Sequence, residues 1–275
     1  MHISLNKTTT LYQNTLNYSF FIEENKLFKK NSAEEYNTLA LLYKEKKLTK
    51  KVIDYYEKAL KIRISIFGSL HKKTVLSYMN LAEAYCDDAN FLKSLHYYKI
   101  SLELSQGLLG KDSQQVASIY SALANIYFSE ENFTEAFKFY TQALNIRQNF
   151  LGELHPLTAK SQHELGYFYA ALEEYSLALP LFERALETRV ELYRLSHPDT
   201  AKSYNSLAMC HYHLFNYEFA YKYLMEAIRI KELILPKSDE RLQICKQNLV
   251  KIEKHIPLNM KSTFLKSLLQ WLKNL

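Results

Sequence analysis

Apolar and small residues return along this chain with a period of 42. One column is Tyr36, Tyr78, Tyr120, Gln162 and Tyr204, and three residues later stands Leu39, Leu81, Leu123, Leu165 and Leu207. Ala40, Ala82, Ala124, Gly166 and Ala208 follow, then Tyr43, Tyr85, Tyr127, Tyr169 and His211. The columns occupy i, i+3, i+4 and i+7, which is one face of a helix. A second segment repeats Ala59, Ser101, Ala143, Ala185 and Ala227, each followed by a large aliphatic residue. Small residues there let two helices approach closely while the aromatic columns fill the space beside them.

Short polar turns such as Glu130-Glu131-Asn132 separate the helices of a pair, and Phe91, Phe133, Tyr175 and Tyr217 open the second helix in register. That helix is expected to end at Gly68, Gly110 and Gly152, where glycine closes a helix in the left-handed conformation. His155-Pro156 and His197-Pro198 restart a helix, because proline is tolerated at the first helical position. Pro180 is assigned to the first turn of its helix for the same reason.

The pattern thus predicts five helix–turn–helix units, at 33–74, 75–116, 117–158, 159–200 and 201–242. Residues 1–32 read as a degenerate capping helix segment, and 243–275 as a truncated sixth repeat followed by a basic amphipathic capping helix. One unit cannot bury its apolar face alone, but a stack can. The fold class is all-α, a solenoid of antiparallel helix pairs.

Composition agrees. Five Gly and five Pro in 275 residues are too few for a chain of many strands and turns. No run of about 18 uninterrupted apolar residues is present, and the first residues lack the features of a secretory signal. The three cysteines, far apart, read as reduced thiols, so a cytoplasmic location is expected. Of the net charge of +6, residues 243–275 hold +5 and 1–32 hold +2, leaving −1 for the body. A nearly neutral body with a basic tail is not a nucleic-acid surface.

The columns resemble the tetratricopeptide repeat, and the 42-residue length resembles its kinesin light chain-like branch, most closely in ALNIRQNFLGELHPLTAKS (143–161) and ALPLFERALETRVELYRLSHPDTAKSYNSLA (178–208). The resemblance implies a right-handed superhelix whose first helices line a concave groove for extended peptides of partner proteins. The heptad coiled coil of the light chains is absent, which argues against a motor subunit. The family's usual turn glycine is replaced by Lys47, Ala89, Glu131, Glu173 and Phe215, so Asn90, Asn132 and Asn216, one place later, are expected to take up the unusual backbone angles.

The resemblance places Asn37, Asn80, Glu83, Asn125, Tyr167 and Asn205 on the groove, with asparagines as backbone clamps. Lys160, His163, Lys202 and His213 then make a mildly basic patch suited to acidic side chains of a partner. Solvated polar residues on ordinary helix faces are the plainer reading of the same set. In the tail, LNMKSTFLKSLLQWLKNL (258–275) gathers Phe264, Leu268, Leu272 and, at the border, Trp271 on one broad apolar face. That face is either a cap or a docking element for an anionic membrane or partner helix.

No catalytic constellation, metal site or cofactor is predicted. Gly107 to Lys111 lacks the spacing of a phosphate loop, and His211 and His213 point to different faces of a helix. The expected role is a non-catalytic adaptor binding an extended peptide, with membrane tethering through the tail, or a peptide-responsive regulator, as the alternatives.

Overall fold

The computed structural model describes residues 31–193 and 197–256. A helix α1 covers residues 31–45. It is followed by α2 (Thr49–Phe67), α3 (Lys72–Asp87), α4 (Phe91–Leu109), α5 (Gln114–Ser129) and α6 (Phe133–Leu151). Then come α7 (Pro156–Ala171), α8 (Tyr175–Tyr193), α9 (Pro198–His213), α10 (Tyr217–Ile234) and α11 (Glu240–His255). Two compact units divide the chain, Met1–Ile126 and Tyr127–Leu275. In the first, α3 packs on α2 and α4; in the second, each helix from α6 to α11 packs on the next.

The repeat columns explain this packing. Ala59, Ser101, Ala143, Ala185 and Ala227 are all buried, as are Ala40, Ala82, Ala124 and Ala208. Gly166 breaks the last column because a Cβ there would lie 2.9 Å from the ring of the fully buried Phe182. The aromatic column stacks within four of the five pairs: Tyr43 on Tyr55 at 5.4 Å, Tyr85 on Tyr97 at 5.5 Å, Tyr127 on Phe139 at 5.6 Å and His211 on Tyr223 at 5.3 Å. Each stack adds about 0.5–1.5 kcal/mol beyond the area it buries. His211 is therefore a packed core histidine, its pKa lowered by burial.

Three local expectations are corrected. Gly68, Gly110 and Gly152 do end helices with φ of 77–85°, but their ψ of 160–177° is extended, not left-handed helical. That region is open to glycine almost alone. In the turns, Lys47, Ala89, Glu131, Glu173 and Phe215 themselves hold φ of 56–62°. The asparagines one place later are N-caps, with φ of −83 to −89°. Asn90 accepts from the Lys93 N–H and Asn132 from the Glu135 N–H, bonds that only a residue outside the helix can make. Finally, Pro180 lies at the sixth position of α8, beyond its first turn, so the Ser176 carbonyl receives no helical N–H from it.

Candidate protein-binding surface

The helices α3, α5, α7, α9 and α11 begin at a further 42-residue column, His71, Ser113, His155, His197 and Asp239. Every member supplies an N-cap acceptor. The Nδ1 atoms of His71, His155 and His197 accept from the N–H two residues on, at 3.1–3.2 Å. Ser113 Oγ accepts from Val116 N–H, and Asp239 Oδ1 from Arg241 N–H. Capping histidines also stack on the end of the preceding helix, His71 on Phe67 and His197 on Tyr193. The junction histidines are thus structural.

A buried arginine ties three of the five junctions down, while at the α4–α5 junction the two positions are Ser105 and Ile119. Arg63, Arg147 and Arg189 place Nη1 on the hydroxyls of Ser77, Ser161 and Ser203, 14 residues on, at 2.7, 2.6 and 2.5 Å. In the last pair the same two positions are Lys231 and Cys245, with Nζ 2.9 Å from Sγ. Cys245 in turn donates to Asn205 Oδ1 at 3.5 Å. Desolvation lowers the pKa of Arg147 and Arg189, partly offset by Glu164 and Asp199 respectively. Sequence reading passed over these pairs, although their constant spacing was there to be found.

In the first unit, the predicted clamps Asn37 and Asn80 bond to each other, Asn80 Nδ2 donating to Asn37 Oδ1 at 3.3 Å. Glu83 is exposed and holds Lys44 at 2.7 Å, and that lysine also reaches Asp87 at 3.4 Å. Asn125 is exposed on α5.

In the second unit, Lys160 and Lys202 are exposed at the starts of α7 and α9, and Lys160 Nζ lies 3.7 Å from Glu164. Tyr167 is exposed and meets Phe128 edge-on at 6.1 Å. His163 does not join the basic patch. It is buried, pairs Nε2 with Ser206 Oγ at 3.1 Å, and has its pKa pushed down to about 3 by burial and then by Arg189 and Lys202. It is neutral and closed off by Phe182, 4.9 Å away. His213 is exposed and stacks flat on Tyr175 at 4.4 Å. Phe264, Leu268, Trp271 and Leu272 lie outside the described residues.

Of the predicted set, the fold brings Asn205 and His213 together in one cleft of about 320 Å³ between α9 and α11. Met209, Tyr212, Leu224 and Ile252 supply its apolar wall, and Asn248 and Lys251 its polar edge on α11. Lys160 and Tyr167 lie outside this cleft. Asn248 and Lys251 were missed, yet adding one period to Ser206 and Met209 reaches them.

Among the described residues no group of three potential metal ligands comes together, and no helix is long and apolar enough to cross a membrane. A tetratricopeptide repeat family model matches residues 73–149, 115–189 and 157–232, and a second matches 33–63. The chain belongs to the tetratricopeptide repeat family, and its fold is the all-α solenoid of that family. Among solved structures, the nearly identical TPR-like repeats assigned to a kinesin light chain of Podosopora anserina are 21% identical, covering 74% of this chain and 95% of that one, with a TM-score of 0.63. BtubC (BKLC) from P. vanneervenii is also 21% identical, over 79% and 95%, with a TM-score of 0.66. Aspartyl phosphate phosphatase F from Bacillus subtilis is 13% identical over 95% of this chain and 65% of that one, with a TM-score of 0.70. At these identities the likeness is one of fold, shared with kinesin light chain-like repeats. No curated protein sequence matches the chain significantly.

Proposed function

We propose that this protein is a scaffold that binds an extended segment of a partner protein on its first helices, with the α9–α11 cleft as the anchoring subsite. Tetratricopeptide repeats are in general protein-interaction modules, and this chain belongs to them. The observation that carries the finer reading is the composition of the cleft. Two amides, Asn205 and Asn248, flank an apolar wall, and Lys251 is the only group with a fixed charge among its described lining residues. An asparagine amide donates and accepts at once, as a peptide backbone requires. The wall takes an apolar side chain, and Lys251 favours a carboxylate beside it. Because the cleft is set by packed helices, little receptor entropy is lost on binding. The bound segment is therefore an apolar residue next to an acidic one, in extended conformation.

The test is selection from a displayed random peptide library on the full chain, followed by titration of the selected peptides. Peptides with adjoining apolar and acidic residues should bind, and Asn205→Ala with Lys251→Ala should weaken them about tenfold or more. Equal affinity for the variant would overturn the cleft as the subsite.

A further inference from the structure

A second groove opens on another face of the same unit, between the second helices α8 and α10. It has a volume of about 750 Å³ and runs from Pro180 to Glu191, about three helical turns or 16 Å. Its floor is apolar, with Leu186, Val190 and Tyr223 half-buried beneath it. Along its rim stand Glu183, Glu187 and Glu191, all exposed, with Arg184 the only cation among the described lining residues.

The acidic row costs helix stability and is not a feature of the repeat. Glutamates at i, i+4 and i+8 share one helix face, where like charges repel and weaken the helix. None of the three makes an ion pair with a described residue, so no cation among them offsets that repulsion. The row is also particular to α8. One period away, the same positions read Thr141, Asn145 and Asn149 in α6, and Met225, Arg229 and Leu233 in α10. Repeat packing therefore does not require it. Acidic charge that no described residue pairs, beside apolar surface, is the electrostatic complement of a cationic amphipathic segment.

We infer that the α8–α10 groove is a docking site for a basic amphipathic helix of a partner protein. Its apolar stripe would lie on Leu186, Val190 and Tyr223, and lysines or arginines spaced one turn apart would face Glu183, Glu187 and Glu191. A groove along one helix beside another is the setting in which a third helix packs. This site is separate from the α9–α11 cleft and does not rest on it.

The probe is a capped, fluorescein-labelled peptide of about 15 residues, built of leucines on one face and lysines flanking it, long enough to form a helix on binding. It is titrated into the full chain by fluorescence anisotropy. The triple variant Glu183→Lys, Glu187→Lys, Glu191→Lys should lose at least about tenfold in affinity. A control with the same charge change at Glu130, Glu131 and Glu135 should stay near the native value. Arg184→Glu, which adds an acid to the rim, should tighten binding several-fold, a gain that misfolding cannot produce. Equal losses in the triple variant and the control would reduce the effect to net charge and overturn the site. So would an Arg184→Glu variant that binds no better, or a proline-interrupted peptide that binds as well as the helical one.

Discussion

Five residues without a glycine's freedom hold the turn inside each pair. Lys47, Ala89, Glu131, Glu173 and Phe215 adopt φ of 56–62°, where a Cβ crowds the following carbonyl at about 1–2 kcal/mol per residue. Glycine would remove that cost but adds freedom to the unfolded chain. The balance favours glycine, so Glu173→Gly should raise stability by about 0.5–1 kcal/mol, read as a higher urea midpoint at unchanged slope. A lower midpoint would show that Glu173 makes a compensating contact. The opposite sign holds one residue on: Asn132→Ala removes the cap on Glu135 N–H and should cost about 1 kcal/mol. The two kinds of position lie side by side, which is why sequence reading exchanged their roles. Asparagine suits both left-handed turns and N-caps, and only the backbone separates them.

Glu226 is fully buried in α10, with one carboxylate oxygen accepting from Arg229 Nε at 3.1 Å and Oε1 without a partner among the described residues. Burial raises its pKa above the ordinary carboxylate value, against the pull of Arg229. A raised folded-state pKa means that the folded state binds the proton more tightly than the unfolded one. Its contribution to stability is present below the unfolded value and is lost as pH rises through the folded value. Glu226→Gln, which cannot ionise, should therefore gain thermal stability over the native chain at about pH 8, with the difference shrinking toward about pH 4. A difference independent of pH would mean that Glu226 does not titrate in the folded state above the ordinary range.

Among the elements, the arginine–serine pairs tie three second helices, α2, α6 and α8, each to the first helix that follows it. Arg189 Nη1 meets Ser203 Oγ and the Asp199 carbonyl, both on α9. A buried guanidinium is tolerated only while its donors are matched. Ser203→Ala should then cost about 1–3 kcal/mol, because it leaves a buried charged donor short of an acceptor. Arg189→Met together with Ser203→Ala should cost less than the sum of the two single changes. Additive costs in that cycle would remove the coupling. The same pairing was written in the sequence as Arg63, Arg147 and Arg189 against Ser77, Ser161 and Ser203, each 14 residues apart. Apolar periodicity does not report it, because charged residues on a helix usually face water. His163 was misplaced for the converse reason. Its offset from the apolar stripe marked it as exposed, but Ser206 and Phe182 from neighbouring helices close over it.

For the molecule as a whole, the period alone specified the fold, since helices repeated in phase bury one another in sequence order. Helix bounds follow from caps that recur with it, the His71 to Asp239 column at one end and the glycines at the other. The binding surface was less legible. Single columns name exposed residues, but the α9–α11 cleft needs Leu224 from α10 beneath it, and the α8–α10 groove needs Leu207 from α9. No one-dimensional pattern reports which three helices share a wall. The same sequential packing makes stability local. Leu207 is fully buried in α9, which packs on α8 and α10, so Leu207→Ala should cost about 2–5 kcal/mol. In a stack held by nearest-neighbour interfaces that loss is felt first by adjoining helices. Hydrogen exchange followed by mass spectrometry should show protection falling in α8, α9 and α10 while α6, which packs on α7, keeps its protection. A uniform fall from α6 to α11 would mean that this unit opens as one cooperative body, and that the two proposed sites would be lost together rather than separately.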